Sequence, residues 1–405
     1  MPDLRELNNQ GSRPPNPAPL TRDHEFYFED GSAVFLVGNV LFKLQASLLA
    51  SDSSKVTFKP TPTSEALTLF DVSDKSEGKI GTSDENPIKV PSPASETAFR
   101  ALLQALLARP GSAAHRTLYE DIQIDQKHGW TLLWQYFSLA VMALCFNITD
   151  VARWIWPRIG IILKSARRFT SASLIQQHTL SHVVMRMLTD YETILEHEPD
   201  VARELLAFLR FTLSASSNNQ TPGTQEGLPS NLEVCLLLYR KPPPPEGSVA
   251  HSMARGYIFI VLLSLGHQSD IWKNRMTRDE RSVFYVAQAH LVSLGTYPDL
   301  ELGWLHNPKR FGIPDQACPT CSRQFAHVWS ESFGPLGTLN SPLPLQDVAK
   351  LTRLPQCRYL FADKARKPDW SCQTNCGEKM VEKMDGCLDR LFNEQLVRIY
   401  EELIT

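Results

Sequence analysis

The run Ala33-Val-Phe-Leu-Val-Gly-Asn-Val-Leu-Phe-Lys-Leu44 constrains the fold more than any other stretch of the chain. Two arms rich in Val, Phe and Leu flank Gly38-Asn39. Branched and aromatic side chains favour strands, and a Gly-Asn pair suits a two-residue hairpin turn. A β-hairpin is therefore expected over 33–44. The Phe-rich stretch "EFYFED" precedes it, set off by Asp30-Gly31. After it, "QASLLAS" reads as a short helix, "ALTLFDVS" as a third strand, and Ile88, Lys89 and Val90 as a fourth. Residues 51–66 are polar and contain Pro60 and Pro62, and 73–87 read as loop. An amphipathic helix is expected over 95–107. Ser95 is its N-cap, Phe99, Leu102, Leu103, Leu106 and Leu107 recur at helical spacing, and Arg109-Pro110-Gly111 stops it.

From 128 onwards the pattern is helical. Residues 132–148 carry no charge, which raises two readings, a buried core helix and a membrane span. A span usually needs about 20 apolar residues. Gln135, Ser138 and Asn147 interrupt this run, and Asp150 and Arg153 follow at once, which favours the core helix. Pro157 is expected to kink or break the next helix, over 150–163. Another is expected over 173–196, and Pro199 opens one at its first position, carrying Val201, Leu205, Phe208, Leu209 and Leu213. Residues 214–230 read as a linker, and the four prolines after Lys241 as a rigid break. Further helices are expected over 249–265, 279–294, 344–354 and 377–404. The last carries Met380, Met384, Cys387, Leu388, Leu391 and Leu396 as a core-facing stripe. There is no internal repeat.

Composition narrows the function. The 405 residues suggest two or three domains at about 100–200 residues each, and 42% hydrophobic residues suffice for a core. With 41 basic and 44 acidic residues and a net charge of −3, nothing points to nucleic acid. The nearest basic cluster, Lys164, Arg167 and Arg168, reads as a solvated helix end. Residues 1–22 read as a disordered lead without the apolar segment of a secretory signal. Eight cysteines spread over so long a chain do not make a small disulfide scaffold, so reduced thiols in the cytoplasm or nucleus are the simpler expectation. Phosphate-binding, nucleophile-elbow and H-E-x-x-H signatures do not occur.

Two runs carry a family resemblance. "FYFEDGSAVFLVGNVLFKLQASLL" and "SDENPIKVPSPASETAFRALLQAL" resemble the opening and closing parts of a BTB/POZ domain, of the type found in mushroom-forming fungi. The likeness covers about 24–110, with a looser helical match to about 165. The family's Phe before its first helix matches Phe42, its apolar helix pair matches Leu48 and Leu49, its final-strand Pro matches Pro91, and its helix-opening Phe matches Phe99. Three positions depart from the pattern. Gln45-Ala46 replace a His-Arg or His-Lys pair, Ser32 replaces an Asp, and "SSKVTFKPTPTSE" stands where a second helix usually runs, so that helix is expected to be shortened or missing.

The resemblance implies an α+β chain: a BTB/POZ-like α/β domain over 23–165, then a mostly helical domain over 166–405. It implies a non-enzymatic protein-interaction module that dimerises, or serves as an adaptor for a cullin ubiquitin ligase or as a transcriptional scaffold. Phe42, Leu44, Leu48, Leu49, Phe99 and Leu103 are its expected protein-contacting set. Neither nucleic acid nor membrane is an expected partner. The competing class is an enzyme or membrane-associated protein built on the carboxy-terminal helices.

One chemical motif stands apart. Cys318-Pro-Thr-Cys321 is a C-x-x-C on a turn, and Cys372-Gln-Thr-Asn-Cys376 would place both thiols on one face if helical. Four thiols from two such pairs match a tetrahedral structural zinc site that would pin the carboxy-terminal part, about 318–405. Cys357 and His327 are substitute ligands. Unliganded thiols and a redox pair remain alternatives on sequence alone. Cys387 lies too far along the last helix to share the metal, and Cys145 and Cys235 sit in apolar runs.

Overall fold

The computed structural model describes residues 19–50, 54–60, 65–73, 80–91, 94–108, 129–164, 191, 194–195, 198–217, 231–240, 249–293, 300–313, 318–339, 343, 345–367 and 375–404. The chain is a mixture of a small amino-terminal sheet region and a helical carboxy-terminal region. It divides into two compact units, residues 1–122 with 137–155, and 123–136 with 156–405. The expected helix over 173–196, the linker after 217 and the proline run lie almost wholly outside the described residues.

In the first unit, β1 (Thr21–Tyr27), β2 (Ala33–Val37), β3 (Val40–Leu44) and β6 (Ile88–Lys89) form a sheet in the order β1-β3-β2-β6. β2 and β3 are the expected hairpin, antiparallel with Val37 opposite Val40. Gly38 holds φ at +59°, in the left-handed region that glycine enters most cheaply. β1 and β6 run parallel to β3 and β2 respectively. The amphipathic helix is α1 (Glu96–Leu107), and Ser95 Oγ accepts the Ala98 N–H at 3.2 Å as its cap. Glu96 in its first turn accepts the Asn39 N–H at 3.0 Å, which ties the hairpin turn to the helix start.

Phe99 is fully buried at the centre of this unit. Its ring lies 4.9 Å from Phe42 and 5.7 Å from Phe146, and Phe146 lies 5.1 Å from Phe58. Asp23 on β1 is also buried. It accepts the N–H groups of Glu25 and Phe26 and two bonds from Arg100 on α1, at 3.0 and 2.6 Å. A second pair of strands, β4 (Lys55–Phe58) and β5 (Leu67–Asp71), is antiparallel. β5 matches the expected third strand. β4 corrects the reading of 51–66 as strandless: Val56 and Phe58 alternate with Lys55 and Thr57, and both apolar side chains are fully buried.

α2 (Gly129–Cys145) and α3 (Thr149–Lys164) carry the chain between the units. Pro157 does not break α3. It and Arg153 are exposed, so water can satisfy the Arg153 carbonyl that loses its intrahelical donor. Among the described residues no helix is long and apolar enough to cross a membrane.

The second unit continues with α4 (Pro199–Ser217), α5 (Asn231–Arg240), α6 (Val249–Ser264), α7 (Arg278–Ser293), α8 (Gly303–His306), α9 (Pro319–Phe333), α10 (Leu345–Leu351), α11 (Leu354–Ala365), α12 (Cys376–Asp389) and α13 (Leu396–Ile404). Tyr257 to Leu263 of α6 are all buried, as suits a central helix. Gly256 permits its closest approach: a Cβ there would lie 2.0 Å from the Phe392 carbonyl oxygen. The expected helix over 344–354 is in fact the whole of α10 and the first residue of α11, because Pro355 restricts the residue before it and suits a helix start. The expected helix over 377–404 is α12 and α13 joined by a π-helical turn, Arg390–Gln395.

Candidate metal centre

The expected protein-contacting residues are placed first. Phe42, Leu44, Leu49, Phe99 and Leu103 are fully buried, and Leu48 is half-buried. Five of these side chains thus lie in the interior of the first unit, and Leu48 is partly exposed. The reason is their spacing: the positions that make the resemblance recognisable are the inward-facing ones of the hairpin and of α1. The exposed apolar residues of this unit lie elsewhere, at Leu20 and Phe28 around β1, at Leu67 and Val72 around β5, and at Ile80.

In the second unit, three of the four expected cysteines converge. The Sγ atoms of Cys318, Cys321 and Cys376 all lie within 4.8 Å of one another. Cys372 lies outside the described residues. Cys387 is not in the cluster, and Cys357 is buried on α11 with its thiol pushed up to about 11 by burial. Two details of the expected site are corrected. Cys318-Pro-Thr-Cys321 is a helix start and not a loop turn: Cys318 caps α9, Pro319 is its first residue and Cys321 follows two residues later. α12 begins only at Cys376, and Asn375 directly before it has φ +52°, so the helix that carries Cys376 does not extend back towards Cys372. The cluster therefore lies where two helices begin.

Packing explains why these two starts meet. α9 is held to α11 by aromatic rings: Trp329 stacks on Phe333 at 4.3 Å and meets Phe361 of α11 edge-on at 5.3 Å. α11 in turn receives the start of α12 against its own end. A Cβ on Gly377 would lie 1.9 Å from the Ala365 carbonyl oxygen, so only glycine fits directly after Cys376. The Cys318 N–H donates to Cys376 Sγ at 3.2 Å across the gap.

Charge fixes the same junction. Glu378, one turn into α12, accepts Arg366 Nε at 2.7 Å and Lys164 Nζ at 3.1 Å. Its burial would raise its pKa, but these cations outweigh that and hold it at about 2. Deeper in, Arg358 of α11 is 1% exposed and lies between two buried acids. It donates to Glu204 of α4 twice at 3.1 Å, and to Asp385 of α12 at 2.9 and 2.7 Å. Arg366 also reaches Glu204 at 2.7 Å. α4, α11 and α12 are thus locked by one charged network that no sequence motif announces.

A cleft of about 450 Å³ elsewhere in this unit is lined by His306, Phe325, Trp329, Ser330 and Phe333. His306 Nε2 there lies 3.1 Å from the Leu339 N–H and 3.0 Å from the Leu339 carbonyl. No family model, curated protein or solved structure matches the chain.

Proposed function

We propose that this chain is a non-enzymatic protein-interaction protein of the cytoplasm or nucleus, whose first unit acts as a BTB/POZ-like module. It binds a second copy of itself or a partner such as a cullin. The observation that carries this reading is the rim of its sheet. β1 is one of the two edge strands of the four-stranded sheet, and Leu20 and Phe28 beside its two ends are 49% and 37% exposed. An outer strand offers a row of backbone donors and acceptors for strand addition, and flanking apolar side chains give such a contact its anchors. Asp23 and Arg100 keep β1 on α1, so the rim is presented by a fixed scaffold.

The competing enzyme reading would rest on the cleft beside His306. That ring is engaged by the Leu339 backbone, and the buried acids Glu204 and Asp385 are engaged by Arg358, which favours the interaction reading. The test uses the full chain and the variant with Leu20→Glu and Phe28→Glu together. The mass in solution is measured by light scattering, and co-purifying proteins are identified by mass spectrometry. The variant should lose self-association or its specific partners, since a contact typically buries about 800 Å² per side and tolerates no charge at its centre. Identical mass and identical partners in both proteins would refute the reading.

A further inference from the structure

We infer that Cys318, Cys321 and Cys376 form the thiolate core of a structural zinc site that clamps the starts of α9 and α12 together. Three points no more than 4.8 Å apart all lie within about 2.8 Å of a common centre, against a zinc–sulfur bond of about 2.3 Å. A small inward turn of the side chains closes that difference. Tetrahedral bonds of this length set the sulfurs about 3.8 Å apart, so the thiols already stand within about 1 Å of bonding positions.

Three further features suit a metal. Cys321 and Cys376 are buried and Cys318 is half-buried, so a bound ion would be shielded from bulk water. A zinc ion with three or four thiolates carries net negative charge, and the starts of α9 and α12, where helix dipoles are positive, both adjoin it. The Cys318 N–H directed at Cys376 Sγ is the kind of outer hydrogen bond that orients a ligating sulfur. Thiolate ligands and a closed, buried site select a soft d10 cation over magnesium or calcium. Zinc displaces one proton from each thiol as it binds, and no electron moves.

The test is elemental analysis of the full chain purified in reducing buffer with added zinc and then dialysed. About one zinc per chain is expected, and less than about half an equivalent would overturn the inference, given the tight binding of such sites. Replacing zinc by cobalt should give sulfur-to-cobalt charge-transfer bands, and their absence would count equally against it. Cys321→Ser and Cys376→Ser should each lower the zinc content at least several-fold, whereas Cys387→Ser should leave it unchanged. Because a serine variant could misfold, the wild-type metal content and cobalt spectrum decide the matter independently. A Cys318–Cys321 disulfide found by non-reducing peptide mapping, in protein without metal, would overturn the inference in favour of a redox pair.

Discussion

Replacing Arg358 by Met tests whether charge or packing holds the second unit together. The side chain is nearly inaccessible and makes four hydrogen bonds to Glu204 and Asp385. Methionine keeps much of the volume, so the loss is mainly electrostatic. Glu204 retains Arg366 at 2.7 Å, but Asp385 loses every cation that reaches it in the described network. Removing one partner of a buried pair costs about 3–5 kcal/mol because it strands the other charge. Urea unfolding followed by tryptophan fluorescence reads this unit, which holds Trp156, Trp272, Trp304 and Trp329 in its interior. The pH dependence has a definite sign. Burial already raises the Asp385 pKa, with Glu204 and Asp389 adding to the effect, and loss of Arg358 raises it further. A carboxyl whose folded pKa lies above its unfolded value stabilises the fold increasingly as pH falls. The deficit of Arg358→Met should therefore be smaller at pH 5 than at pH 8. Adding Asp385→Asn should recover most of the loss, whereas adding Glu204→Gln should recover less, because Glu204 keeps Arg366 as its partner when Arg358 is gone. A deficit below about 1 kcal/mol, or no recovery with Asp385→Asn, would refute the reasoning.

Two further outcomes follow from local geometry. Gly256→Ala should cost well over about 1 kcal/mol, because its Cβ would strike the Phe392 carbonyl, while Gly386→Ala, with open space around it, should be neutral or stabilising by about 0.5–1 kcal/mol; equal effects in thermal denaturation would contradict this. In the first unit, burial would raise Asp23, but the Phe26 N–H, Arg100 and the Glu25 N–H together hold it below its ordinary value. Its contribution is present above the unfolded pKa and is lost as pH falls through the lower folded one, so Asp23→Asn should flatten the acid limb of the stability curve below about pH 4.

The parts of the fold legible in the sequence were those encoded locally. The Gly38-Asn39 turn, the Ser95 cap, the period of Phe99 and Leu103, and Pro199 at a helix start each act over a few residues, and each appears where its signal stands. Prolines misled elsewhere. Pro319 and Pro355 look like breaks but occupy first-turn positions, which hid α9 and α11. β4 was hidden because its two inward residues lie in a polar, proline-bearing stretch. The spacing of the cysteines singled out Cys318, Cys321 and Cys376, but their convergence depends on how α9, α11 and α12 pack, which no local pattern carries. Arg358, Glu204 and Asp385 were invisible for the opposite reason: charged residues on helices ordinarily face solvent, and these face one another.

The π-helical turn at Arg390–Gln395 has one more consequence. It adds a residue to the helical path without a break in the chain, so α13 leaves it with its apolar stripe rotated relative to α12. Leu396, Val397, Ile399 and Tyr400 point inward while Arg398 and Glu401 face water. Relaxing this turn to an ordinary α-helix with every residue kept would swing everything downstream by about 100°. Val397 and Tyr400 would then take exposed positions and Arg398 a buried one, so the width of this one turn is what keeps the apolar side chains of α13 inward.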